Sequence, residues 1–227
     1  MRCLLCSITI FVKIKHICSI GERDLKKKTW MLSTLMIVVL ALSACSNYKF
    51  KSDFEYEIED FEATDHRGDT VTLDTLKGEP WLAMFIFTNC DTICTPMTFN
   101  MADIQQKLAD AKLDQYKIVA FSVDPKNDTP EVLSEYLSYY DIADESKWHL
   151  LTGYDQVWIE QFAKENFKTF VKMPEEGDQV AHANTFYLVD EKGVAVKNYS
   201  GYSEEEDGVQ KDTIAIDLET LIEERLQ

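Results

Sequence analysis

Beyond residue 57 the apolar positions fall into short runs of differing period. Phe61 to Leu73 alternates in steps of two around Asp65-His66-Arg67-Gly68-Asp69, which predicts a β-hairpin. Trp81 to Phe87 is continuously apolar, the mark of a strand covered on both faces. Thr88 to Pro96 is polar, and a helical spacing then runs through Met101, Ile104 and Leu108. Tyr116 to Val123 predicts a second covered strand, broken at Asp124-Pro125. Asp128 or Thr129 can cap the next helix, Pro130 suits its first turn, and Val132, Leu133, Tyr136, Leu137 and Tyr140 form its apolar face. A third helix is expected over about residues 155 to 166. The strands 183–189 and 194–199 flank the turn Asp190-Glu191-Lys192-Gly193, and a last helix covers about 213 to 225. The predicted order is hairpin, then β-α-β-α-α-β-β-α. That is α/β with early parallel pairing, a thioredoxin-like fold with an N-terminal β-hairpin extension.

The front of the chain has another character. Lys26-Lys27-Lys28 precedes an apolar run from Trp30 to Leu42, which ends in Leu42-Ser43-Ala44-Cys45. This reads as a secretory signal, and its ending resembles the lipobox of bacterial lipoproteins, with Cys45 as the lipidated residue. The expected organisation is a signal segment over 1–45, a polar tether over 46–57 and one domain over 58–227. Leu25 directly before the lysines makes residues 1–24 a candidate over-extended start. A signal of this kind places the domain on the extracytoplasmic face of a cell membrane.

Charge sharpens the picture. The chain carries a net charge of −17, but seven basic and only two acidic residues lie before position 45, so the remainder is near −22. Such a body repels nucleic acid, and a metal cation or a basic protein patch is the more natural partner.

Six cysteines do not make a disulfide framework here. Cys3, Cys6, Cys18 and Cys45 belong to the front segment, leaving Cys90 and Cys94. They follow the first covered strand, at the strand-to-helix junction where open α/β sheets build sites. A helix N-terminus favours thiolate, which is both a nucleophile and a soft metal ligand. Thiol oxidoreductases of this fold space their cysteines as C-x-x-C, whereas here three residues intervene. Two thiolates suit Cu(I) or Zn, and an added imidazole suits Cu(II). A structural disulfide or two buried thiols is the alternative.

Phe87-Thr88-Asn89-Cys90-Asp91-Thr92-Ile93-Cys94 is followed by Phe121-Ser122-Val123-Asp124-Pro125 with Asp128-Thr129-Pro130, and then by His182-Ala183-Asn184-Thr185-Phe186-Tyr187-Leu188-Val189-Asp190. In these three ordered motifs the chain resembles the Sco/SenC family of copper-binding cytochrome c oxidase assembly proteins, over nearly all of residues 58 to 224. The resemblance implies copper on Cys90, Cys94 and His182, with Cys90 and Cys94 also able to form a redox disulfide. It gives Asp124 a role beside the site or in partner docking. It implies cytochrome c oxidase subunit II and other copper chaperones as partners.

Of the other histidines, His66 is expected to be solvated in its turn and His149 to sit at a strand end. Met97 and Met101 read as core, and Met173 as part of a loop flanking the site. The chain has no proline after Pro174, so the position that thioredoxins give to a proline facing the cysteines falls to His182-Ala183-Asn184. Two functions share these residues. One is a metallochaperone for the dinuclear copper centre of subunit II. The other is a thiol-disulfide reductase that keeps that subunit's ligand cysteines reduced, which has no need of His182. A peroxidase needs an arginine by its thiolate, and none lies between Arg67 and Arg225.

Overall fold

A computed structural model describes residues 49–205 and 208–225. Cys45, the signal segment and the proposed start at residue 25 lie outside the described residues.

Four strands make the centre of the sheet. β4 (Trp81–Ile86) pairs in parallel with β5 (Lys117–Ser122), and β5 pairs in parallel with β6 (Trp148–Thr152). On the other side of β4 the hairpin β9 (Thr185–Val189) and β10 (Val194–Ser200) is antiparallel. Gly193 closes that hairpin with φ +86°, a backbone conformation glycine adopts without strain. The N-terminal hairpin β2 (Glu62–Asp65) and β3 (Thr70–Thr72) joins the far edge through β2 on β6. With β1 (Tyr56–Glu57) on β10, the order is β1-β10-β9-β4-β5-β6-β2-β3. The fold is thioredoxin-like.

Two expectations need correction. The predicted order lacks β6, since Trp148-His-Leu-Leu-Thr is a five-residue run too short to show a period. The second half of segment 46–57 is part of the fold. Asp53 N–H donates to the Val196 carbonyl, and the Phe54 and Tyr56 rings stack at 4.4 Å.

Alternate residues of β4 separate to opposite faces. Phe85 stacks on Phe121 of β5 at 5.5 Å, and Phe121 in turn meets Phe162 of the helix Gln156–Asn166 and Phe167 just beyond it. Phe61 packs edge-on against Phe121, which ties the hairpin to this core. Burying each such ring is worth about 1.5–3 kcal/mol.

The five α-helices among the described residues are α1 (Leu73–Leu76), α2 (Cys94–Asp110), α3 (Pro130–Leu137), α4 (Gln156–Asn166) and α5 (Lys211–Arg225). α2 buries Met97, Met101, Ile104 and Leu108 and packs against α5, so both methionines are core as expected. Thr129, not Asp128, caps α3, accepting from Val132 N–H, and Pro130 fills the first turn. Among the described residues no helix is long and apolar enough to cross a membrane. A small second sheet, β7 (Val171–Lys172) with β8 (Ala181–His182), sits apart from the main one.

Candidate metal centre

α2 begins at Cys94, and Ile93 before it supplies no side-chain cap. The first amides of a helix lack internal partners and carry the positive end of its dipole. Cys90 Sγ meets this need by accepting from Cys94 N–H at 3.4 Å. Spacing of four residues thus lets one cysteine cap the helix that the other starts. Thr92 Oγ1 lies 3.7 Å from the same sulfur. Both cysteines are free thiols; Cys94 is buried and Cys90 partly exposed.

β8 brings the third residue. His182 is 9% exposed, pairs in register with Val171 and meets the Phe87 ring edge-on at 5.9 Å. Its Nδ1–H donates to the Ala183 carbonyl at 3.0 Å, which leaves the Nε2 lone pair to face Cys94 Sγ at 3.3 Å. One donor atom from each of Cys90, Cys94 and His182 lies within 4.8 Å of the other two. Two ligands 3.3 Å apart can share one ion that each holds at roughly 2.0–2.3 Å. Two sulfurs and an imidazole are a soft donor set, which fits copper.

The two thiols differ. A hydrogen bond from Cys94 is the largest influence on Cys90 and, with His182 and backbone N–H groups, holds its thiol well below the usual thiol range. The same contact, reinforced by burial, pushes the Cys94 thiol up. The more exposed sulfur is thus the more acidic of the two.

Asp128 holds the cysteine loop at its start. Its carboxylate accepts from Thr88 Oγ1 at 2.6 Å, from Thr88 N–H at 3.3 Å and from Ser122 Oγ at 2.5 Å, joining the ends of β4 and β5. Burial pushes its pKa up against these donors. Asp124, expected beside the site or on a docking face, is 2% exposed, and its Oδ2 accepts from Asn127 at 2.7 Å. The acid that bonds the cysteine loop is its neighbour. Under Cys94, Thr98 Oγ1 and Tyr136 O–H both donate to the Cys94 carbonyl, at 2.9 and 3.3 Å. Met173 follows β7 and is half-buried, with its N–H on Glu160.

The other described histidines lie apart from this site, His66 in the hairpin turn and His149 on β6. His66, expected to be solvated, is 3% exposed: its Nδ1 accepts from Leu150 N–H at 3.3 Å. The hairpin turn is pressed onto β6, and that pairing buries the ring. His149 stands second in β6 and bonds the buried Asp65 carboxylate at 3.1 Å, which Arg67 also meets at 2.5 Å. Asp128, Tyr136 and the burial of His66 were not recognised as part of either cluster from the sequence. The Asp-Thr-Pro motif was the signal that held Asp128.

Known proteins share this architecture. The family profile described as SCO1/SenC matches residues 51–216. A SCO1 protein homolog of Bacillus subtilis (strain 168) is 46% identical over 168 residues, 74% of this chain and 86% of that one. The structure of BsSco, a member of the Sco family of cytochrome c oxidase assembly proteins in which a disulfide switch was identified, superimposes with a TM-score of 0.68. It is 44% identical and covers 77% of this chain and 98% of its own. Bradyrhizobium japonicum ScoI with copper bound is 27% identical, with a TM-score of 0.58 over 73% of this chain and 99% of its own.

Proposed function

Because this chain belongs to the SCO1/SenC family, we propose that it binds one copper ion through Cys90, Cys94 and His182. On this reading it is an assembly factor for the dinuclear copper centre of cytochrome c oxidase subunit II. The observation that carries the reading is the convergence of three soft donors, with Nδ1 of His182 committed to Ala183 and Nε2 aimed at Cys94. ScoI of Bradyrhizobium japonicum with copper bound, a relative of the same fold, supports the choice of metal.

When bound, copper supplies a one-electron redox centre as cargo. The residues of the chain do the rest. Cys90, the more acidic thiol, is the readier thiolate, and Cys94 must give its proton to solvent so that Nε2 of His182 keeps its lone pair for the metal. Phe87 packs the imidazole edge-on, and Tyr136 with Thr98 pins the Cys94 carbonyl, so the ligands lose little freedom on binding. Transfer of two electrons from the two thiolates to an external oxidant, such as a partner disulfide that leaves as two thiols, would join the sulfurs and remove both anionic ligands, releasing the metal. Titration of the reduced full-length protein with Cu(II), beside His182→Ala, tests the reading. A one-to-one complex with a sulfur-to-copper charge-transfer band, lost or altered in His182→Ala, is expected. Rapid copper reduction with disulfide formation, unchanged in His182→Ala, would overturn it.

That second outcome belongs to the thiol-disulfide reductase, which the unequal thiols would suit: a partly exposed, more acidic thiol and a buried, less acidic partner. It ranks second because it leaves His182 without a task. We also place the domain on the extracytoplasmic face of the cell membrane, anchored by lipid on Cys45. Incorporation of a labelled fatty acid that is lost in Cys45→Ser is the expected result, and equal labelling would remove the anchor.

A further inference from the structure

The loop between β7 and β8 reaches across to the cysteine loop through two adjacent side chains. Gln179 lies three residues before His182. Its Nε2 donates to the Asn89 carbonyl at 2.9 Å, and its Oε1 accepts from Asp91 N–H at 3.2 Å. The carboxamide thus takes the backbone acceptor before Cys90 and the backbone donor after it, as a neighbouring strand would. Asp178 adds a second tie, accepting from Asn89 Nδ2 at 2.9 Å and from Gln179 Nε2 at 3.3 Å. Nothing covalent near the site joins the Cys90 loop to the His182 strand, and Cys90 is its most exposed ligand.

We propose that Gln179 is a positioning residue: it locks the Cys90 loop onto the strand of His182, so that the three ligand atoms are assembled before metal arrives. This inference rests on the copper reading for its consequence but not for its geometry. Cys94 is fixed by its helix and His182 by β8, whereas Cys90 lies in a loop whose placement depends on side-chain bonds. Preorganised ligands bind faster and release more slowly, because the ordering cost is met beforehand.

The test compares the full chain with Gln179→Ala and Gln179→Glu. In the metal-free reduced protein, amide hydrogen exchange is read at Asp91, which donates to Gln179. Loss of the bond should speed exchange there about tenfold in Gln179→Ala. Gln179→Glu keeps an acceptor for Asp91 but loses the donor to Asn89 and sets a carboxylate against Asp178, so its protection should fall between the wild type and Gln179→Ala. In the copper-loaded protein, Gln179→Ala should shift the sulfur-to-copper band and hasten copper loss to a chelator about tenfold, with Gln179→Glu in between. Unchanged Asp91 exchange in Gln179→Ala would overturn the lock. Faster exchange with an unchanged spectrum and unchanged copper release would overturn the positioning role. A wild-type protein that takes up no copper would sink the proposed function, while the metal-free exchange still decides the lock.

Discussion

Cys94 Sγ lies 3.3 Å from Nε2 of His182, although 88 positions separate the two residues in the chain. The contact joins the first residue of α2 to a two-residue strand outside the main sheet. Removing either side chain takes away one of the three proposed ligands and leaves the strand pairing of β4 and β5 intact. Cys94→Ala and His182→Ala should each weaken copper binding at least about a hundredfold, by more than loss of a supporting hydrogen bond does. Competition with a chelator of known affinity measures this, and wild-type retention in either variant would remove that residue from the ligand set.

Asp128→Ala should cost about 2–4 kcal/mol of stability, because the Thr88 amide and the hydroxyls of Thr88 and Ser122 lose their common acceptor in a buried place. The same change frees the start of the cysteine loop, so copper binding should weaken alongside. Urea unfolding of the metal-free protein gives the first quantity. A loss below about 1 kcal/mol would mean that water replaces the carboxylate.

The histidine cluster predicts a pH dependence unconnected with the metal. Burial is the largest cause that lowers the pKa of both His66 and His149, so the folded state holds them neutral. A histidine whose folded pKa is depressed binds more protons when unfolded. Its stabilising contribution is complete above the ordinary value near 6.5 and is lost as pH falls below it. Asp65 acts lower still. Burial alone would raise its pKa, but the Arg67 and Asp69 amides, His149 and the Arg67 guanidinium outweigh it, so its contribution is lost only below the usual aspartate range. Calorimetric Tm values between pH 7.5 and 5 should fall more steeply in the wild type than in His66→Gln/His149→Gln. The general acidity of the chain is common to both proteins and cancels. Parallel slopes would show that the rings do not stay neutral.

Gly201 follows β10, and its N–H donates to the Asn184 carbonyl at 2.7 Å. A Cβ at this position would come within 2.8 Å of the Phe186 ring. Gly201→Ala should therefore cost about 1–3 kcal/mol through overpacking. Adding Phe186→Leu should recover part of that loss, which a double-mutant cycle in urea would report as coupling. Strict additivity would mean that the backbone, not the ring, absorbs the methyl.

Much of this molecule is local and was readable as such. Trp81 to Phe87 and Tyr116 to Val123 are long apolar runs, so β4 and β5 followed from pattern alone. Cys90 and Cys94 announced themselves by their place between strand and helix, and the resemblance of the motif around His182 implied it as a third ligand. What stayed hidden was short or distant. β6 has five residues and β7 and β8 two each, too few to show a period. His66 looked like a turn residue because burial is set by what packs over a turn, here β6, 84 positions away. The composition and order of residues determined the elements, the ligand types and the helix start that favours a thiolate, since these depend on neighbours in the chain. Only the tertiary structure decided that Cys90 caps that helix, that Asp128 rather than Asp124 bonds the cysteine loop, and that Gln179 spans to it. Those are meetings of side chains whose partners are chosen by the packing of whole elements, and no local spacing encodes them.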